Sequence, residues 1–208
     1  MLNSNCFCRK ATLKDDFEKI AKYIHLTDPY IYPAISLNPD DKSWICFVSE
    51  CLRNPSNIFF IDNISVVICE SDIVGIACVI PCQKDLTIVS DINIPINISQ
   101  NLGSVINGYF DPLIEESKLY SGYNIVNVCI DEKYRGKGLG SLLMSHCVDT
   151  YGHNIIHLDV IASNTSAIQL YKKYGFQIEK EYLGFSGKDT LLLCYHMTRE
   201  LHKRTKAE

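Results

Sequence analysis

Residues 134–141, Tyr-Arg-Gly-Lys-Gly-Leu-Gly-Ser, place three glycines and two cations directly after the apolar stretch 123–130 and before a stretch with helical apolar spacing. Those residue types at that place suit an anion. A loop entering a helix meets N–H groups with no partner inside the helix, and the aligned peptide dipoles add partial positive charge. A phosphate set against that end is favoured. Gly136, Gly138 and Gly140 let the backbone approach a ligand and adopt positive φ, while Arg135 and Lys137 bring full charges. Spacing excludes two common phosphate loops. G-x-x-x-x-G-K-[ST] fails because Gly138 follows Lys137, and G-x-G-x-x-G fails because the sixth position from Gly136 is Ser141. What fits is R-x-x-G-x-G, Arg135 through Gly140. A plain tight turn between strand and helix is the competing reading.

Other residues that could do chemistry carry less. Of the ten cysteines, Cys69, Cys78, Cys129 and Cys194 lie in apolar, strand-like stretches, where a thiol packs as a small hydrophobe. There is no C-x-x-C, and the C-x-C pair Cys6 and Cys8 has no partner cluster. Buried free thiols are therefore the expectation. His153 and His157 are four apart, but Asn154, Ile155 and Ile156 between them lead into a strand, so no metal site is expected. The net charge of −4 does not suit nucleic acid, and the basic tail "HKRTKAE" is short.

The elements that must position these residues follow from periodicity. Residues 12–25 read as an amphipathic helix capped by Thr12, with Leu13, Phe17, Ile20, Ala21 and Ile24 on one stripe. "TDPYIYP" breaks it. Residues 41–53 read as a second helix, and "ISVVICESDIVGIACVIP" as two strands around an "ESD" turn. Residues 82–122 read as an inserted, partly helical excursion. Beyond it come a strand (123–130), the glycine loop, a helix with Leu139, Leu142, Leu143 and Cys147 on one face and Gly152 as its stop, a strand over "NIIHLDVIA", a helix over "NTSAIQLYKKYG" ended by Gly175, and an antiparallel closing pair, "FQIEKEYLGF" and "DTLLLCYHMTREL". No linker divides the 208 residues, so one α/β domain over 1–208 is expected, with the excursion and a short basic tail. No apolar run approaches the ~20 residues of a membrane-spanning helix. Residues 1–16 lack the order of a signal peptide, so a cytoplasmic location is expected and no membrane partner.

The glycine loop after Val128-Cys129-Ile130 resembles the coenzyme A-binding signature of the GCN5-related N-acetyltransferase (GNAT) family. Downstream, "LDVIASNTSAIQLYKKYGF" (158–176) is similar to that family's second signature: a strand, an Asn, an Ala, a Leu-Tyr pair and Gly-Phe. The resemblance is detailed over 123–176 and departs over 82–122. It implies a mixed, mostly antiparallel central sheet with flanking helices and a splayed pair of parallel central strands. It implies acetyl-CoA as cosubstrate, wedged in the splay, with the main chain of Val128 and Ile130 pairing with the pantetheine arm. The pyrophosphate would then lie on Arg135, Gly136, Lys137, Gly138, Leu139, Gly140 and Ser141.

The resemblance further places Asn164 near the cofactor arm, with a helix N-cap as the alternative. It makes Tyr171 the general acid, with a core aromatic as the alternative; Tyr174 reads as core. The reaction implied is direct attack of a neutral amine on the thioester, with a backbone N–H near Ile130 as oxyanion donor. No Glu or Asp lies within 123–130. Asp131, Glu132 and Asp159 could each act through water, and none is assigned as base. The acceptor is an amine of a small molecule or peptide. Residues 82–122 carry five acidic and two basic side chains, and Tyr30 and Tyr32 lie where the family builds its acceptor wall, which would suit a cationic amine. A homodimer is compatible with the chain. A non-catalytic acetyl-CoA sensor or interaction module is the alternative function.

Overall fold

The computed structural model describes residues 5–27, 40–83, 86, 118–186 and 190–200. In chain order these form β1 (Cys6–Lys10), α1 (Phe17–Thr27), α2 (Lys42–Cys51), β2 (Ile64–Cys69), β3 (Asp72–Pro81), β4 (Tyr123–Ile130), α3 (Leu139–Tyr151), β5 (Ile156–Ile161), α4 (Thr165–Lys173), β6 (Gln177–Ser186) and β7 (Thr190–Arg199). The strands make one seven-stranded sheet in the order β1-β2-β3-β4-β5-β7-β6. Every neighbouring pair is antiparallel except β4–β5. This is the GNAT-like sheet that the resemblance implied.

Both faces of the sheet are covered. On one, α1 and α2 seal a core with Ile64, Val66, Ile76 and Cys78 beneath Trp44 and Phe47. On the other, α3 and α4 lie over Val67, Ala77, Val79, Ile125, Leu158 and Val160. Strands buried on both faces read as near-continuous apolar runs, as β2 and β3 do. Trp44 and Phe47 are buried completely or nearly so, and Trp44 Nε1 donates to the Ala21 carbonyl at 2.9 Å, tying α2 to α1. Burial of a side chain such as Phe47 contributes about 1.5–3 kcal/mol. The turn between β2 and β3 holds Glu70 and Ser71 at φ 52° and 71°, as a two-residue hairpin of matching twist requires.

Three expectations change. The first helix starts at Phe17, not Thr12. Asp15 is held by Arg9 in a two-pronged pair at 2.6 and 2.8 Å and accepts the Thr12 N–H at 2.7 Å, which folds 12–15 into a turn and leaves Leu13 exposed. Asp16 takes over as cap, accepting the Lys19 N–H at 3.2 Å. β1 was not anticipated. It brings Cys6 opposite Cys69, and the two form a disulfide, so neither is a free thiol. Eight other cysteines are free. Gly152 ends α3 as expected, at φ −70°; glycine is needed because a Cβ would lie 2.3 Å from the Val148 carbonyl oxygen. Of the 82–122 excursion, only 82, 83, 86 and 118–122 are described. There the Cys82 N–H bonds the Gly122 carbonyl, closing the base of the excursion.

Candidate active site

β4 and β5 pair over three positions only, Tyr123↔Ile156, Asn124↔His157 and Ile125↔Leu158. Past them the strands part. A register shift across β3 leaves Val126 without a partner, and such a bulge bends its strand. From Asn127 onward β4 pairs with β3 alone, and from Asp159 onward β5 pairs with β7 alone. The result is a wedge between two parallel strands.

Alternation along β4 decides which main-chain groups face it. The Asp131 N–H bonds the Val74 carbonyl on β3, and the Cys129 carbonyl oxygen would lie 2.6 Å from a Cβ on Gly75 of β3. Successive residues of a strand present their polar groups to opposite sides. The N–H and C=O of Val128 and Ile130 therefore face the wedge, where an extended ligand could pair with them. Their side chains pack against the α3/α4 core, so the two readings of these residues hold together. The Ile130 carbonyl already accepts from Arg135 Nε at 3.1 Å. This gives Arg135 a structural task, locking the loop to the end of β4.

The loop then enters α3. Gly136 and Gly138 have φ of 73° and 83°, and Gly138 is the N-cap with no side-chain cap. The first bond of the helix runs from Leu142 N–H to Gly138 O, leaving the N–H groups of Leu139, Gly140 and Ser141 as its orphan donors. Residues 135–138 are exposed. Lys137 Nζ lies 5.0 Å over the Tyr134 ring. Leu139 is core through its side chain. A Cβ on Gly140 would come within 3.2 Å of Leu170 Cδ2, so this glycine permits close approach of α4. Tyr174 packs against the α3/α4 core as read from the sequence, and its hydroxyl also donates to the Ser141 carbonyl at 2.6 Å, clamping the end of α4 to the first turn of α3.

Asn164 caps α4, its Oδ1 accepting the Ala167 N–H at 3.3 Å, which leaves its amide nitrogen for any ligand. Tyr171 lies in the α3/α4 core with its ring 6.1 Å from Phe176. Burial pushes its phenol up to about 12, and its hydroxyl makes no hydrogen bond among the described residues. Of the three candidate carboxylates, Asp131 is committed. It accepts from Tyr23 Oη at 3.0 Å and caps the following turn through the Lys133 N–H. Glu132 is exposed, and Asp159 Oδ1 accepts from His196 Nδ1 at 3.0 Å. Tyr30 and Tyr32 lie outside the described residues.

A sequence model of the Acetyltransferase (GNAT) family matches residues 23–176. The chain belongs to the GNAT acetyltransferase family. That family uses acetyl-CoA as cosubstrate. Among relatives, this GNAT chain is 39% identical over 67 residues to the spermine/spermidine N(1)-acetyltransferase of Bacillus subtilis, covering 30% of this chain and 43% of that protein. It is 30% identical over 81 residues to the N-alpha-acetyltransferase RimI of Mycobacterium tuberculosis, covering 38% and 49%. The match spans less than half of either relative. In fold it resembles an N-acetyltransferase from Staphylococcus aureus Mu50, at a TM-score of 0.71 and 18% identity over 92% of this chain and 99% of that one. It also resembles the NatC complex bound to Gag peptide and CoA, at 0.55 and 12% over 95% and 99%.

Proposed function

We propose that this protein transfers the acetyl group of acetyl-CoA to an amine of a small molecule or peptide by direct attack on the thioester. The observation that carries the reading is the wedge between β4 and β5, with the main chain of Val128 and Ile130 facing it and the glycine loop at its end. Together they offer an extended partner for an amide-bearing arm and a cradle of N–H groups for a pyrophosphate. The residues present therefore fit the cosubstrate, which supplies the activated acyl group.

The chain supplies the rest. The Ile130 N–H is placed to donate to an oxyanion. Tyr171 keeps its proton near neutrality, because burial raises its phenol, and so can give it to a departing thiolate. A polyamine or a peptide N-terminus is the acceptor type favoured by the activities that the two relatives' names state, and the acidic balance of residues 82–122 suits a cation.

The test is a thermal melt with acetyl-CoA, followed by thiol release with spermidine and with an alanine-terminated peptide. Ligand at one hundred times its dissociation constant adds about 2.7 kcal/mol. ATP and NAD should leave the melt unmoved, since both nucleotide patterns fail. A melt indifferent to acetyl-CoA overturns the proposal. Binding without thiol release favours the sensor.

A further inference from the structure

We propose that Asp159 selects the acceptor: its carboxylate holds a second ammonium group of the amine substrate, so that the preferred acceptor is a diamine or polyamine. The inference rests on the acetyltransferase reading above and adds to it the class of acceptor.

Placement is the first argument. β5 parts from β4 after Leu158, so Asp159 is its first residue in the wedge. Ile156, Leu158 and Val160 pack beneath α3 and α4, so His157 and Asp159 point to the other face. That is the face which α1 and α2 cover over β2 and β3, yet no described residue of β5, β6 or β7 joins their core. Of the six residues of β5, Asp159 alone is exposed, with 31% of its side chain open to solvent. Across the wedge on the same face stands Asn127, two residues before the core residue Cys129. Its Nδ2 donates to Thr27 Oγ1 at 2.6 Å, at the end of α1. An acceptor entering on this face meets a neutral wall on β4 and a carboxylate on β5. Tyr171 lies on the opposite, α3/α4 side, clear of the acceptor's path.

Charge is the second. Asp159 Oδ1 accepts from His196 Nδ1 at 3.0 Å, which orients the carboxylate. The two oxygens of a carboxylate have lone pairs for several donors, and Asp159 accepts no other hydrogen bond among the described residues. A cation lies on the same face two strands away: Lys180 on β6 is the register partner of His196. Its Nζ lies 5.7 Å over the Tyr182 ring, and the ion-pair partner of Asp159 is His196, not Lys180. His157 is engaged at both nitrogens, Nε2 with the Ser121 carbonyl at 3.0 Å and Nδ1 with Thr198 Oγ1 at 3.1 Å. Tyr120 lies 4.8 Å from both imidazole rings, centroid to centroid, and steadies the support of Asp159.

Distance decides which nitrogen Asp159 serves. It follows the last paired position, Ile125↔Leu158, whereas Ile130, whose N–H is assigned to the oxyanion, lies further along β4. A strand advances ~3.3 Å per residue, so the carboxylate sits on the order of 10 Å back from the reacting carbonyl. That is too far for a hydrogen bond to the attacking nitrogen. It matches a second ammonium further along an aliphatic chain. The attacking amine must be neutral, and a carboxylate beside it would favour its protonated form. A carboxylate set back from it binds the substrate without that cost.

The experiment measures kcat and KM separately for spermidine, for butylamine, which has an aminobutyl chain and no second charge, and for an alanine-terminated peptide. Acetyl-CoA is saturating, and the proteins are the parent, Asp159→Asn and Asp159→Ser. The parent should prefer spermidine to butylamine in kcat/KM by at least about tenfold, the order of one charge-assisted hydrogen bond. Added salt should shrink that preference. Asp159→Asn and Asp159→Ser should remove most of it by raising the KM for spermidine. A parent that acetylates butylamine as well as spermidine, or that acetylates the peptide and neither amine, overturns this inference alone. So does a variant that keeps the parent's preference, or one that loses kcat equally for both amines. If neither variant folds, the salt dependence decides, and a preference unmoved by salt overturns the inference. A parent that binds acetyl-CoA but releases no thiol with any of the three acceptors removes the acetyltransferase reading and this inference together.

Discussion

Tyr171 is the residue whose chemistry and packing can be separated most cleanly. Its ring fills the α3/α4 core against Phe176, while its hydroxyl is bonded to nothing among the described residues. Tyr171→Phe should therefore leave stability within about 1 kcal/mol, since no buried hydrogen bond is lost, and leave acetyl-CoA affinity unchanged. Turnover should drop toward the low end of the roughly 10²–10⁴-fold typical of an acid–base group. A thiol with a pKa of roughly 8.5 already leaves tolerably near neutrality. Stopped-flow thiol release, with chemistry shown to limit the rate, checks this; a Phe variant at the parent rate makes Tyr171 a core residue only. Tyr23 shows how an aromatic hydroxyl can be structural instead. Burial first, then the hydrogen bond to Asp131, pushes its phenol well up, and that bond ties α1 to the end of β4.

At the scale of elements, the loop entering α3 is the part whose backbone geometry matters most. Gly138 caps the helix at φ 83°, a conformation that costs a side chain roughly 1–2 kcal/mol. Gly138→Val should lose about that much stability and, because its Cβ branches stand where a ligand must approach, at least about tenfold in coenzyme A affinity, 1.4 kcal/mol being tenfold. Calorimetry beside a denaturant melt separates the two effects. Gly136→Ala is the informative comparison. Its φ is 73°, yet a Cβ there meets nothing within 4 Å, so an affinity loss in that variant comes from the ligand side or from backbone strain. Normal binding by Gly138→Val would reduce the loop to a turn. At the far edge, the Cys6–Cys69 bond staples β1 to β2. Disulfides persist mainly in oxidising compartments, so the redox state of this pair in the cell is the test of the location expected from residues 1–16.

Across the molecule, two cores share one sheet, and both bury groups that ionise at high pH. Burial raises the thiols of Cys129 to about 11 and of Cys78 and Cys147 to about 12, and the Tyr171 phenol to about 12. Folded values above unfolded ones mean that the unfolded chain loses these protons first. Their stabilisation is complete below the unfolded values, roughly 8.5 for Cys and 10 for Tyr, and is lost as pH rises toward 11–12. Urea melts should show no loss from these groups up to about pH 8 and a decline above about pH 9. Stability that holds unchanged to pH 11 contradicts the burial of these groups.

How much of this was legible along the chain depended on how local each cause is. Arg135 through Gly140, the strand before them, Asn164 as a cap and Gly175 as a stop at φ 86° are local. Each rests on neighbouring residues, φ preferences and helix-end donors, so the pattern of residues alone determined the strand–loop–helix unit and the family it resembles. The turn at 12–15 was misread because Asp15 answers to Arg9 on β1, a strand too short and mixed to announce itself by periodicity. The Cys6–Cys69 bond stayed hidden for the same reason, since its partners are 63 residues apart and meet only through strand pairing. The wedge, and the main chain of Val128 and Ile130 as its lining, were expected from resemblance; their physical cause is a bulge and a register, both properties of paired strands. The Asp159–His196 contact is tertiary altogether. A carboxylate on β5 and an imidazole on β7 become neighbours because β7 inserts between β5 and β6, and nothing in the spacing of two residues 37 apart foretells that a sheet will order its strands that way.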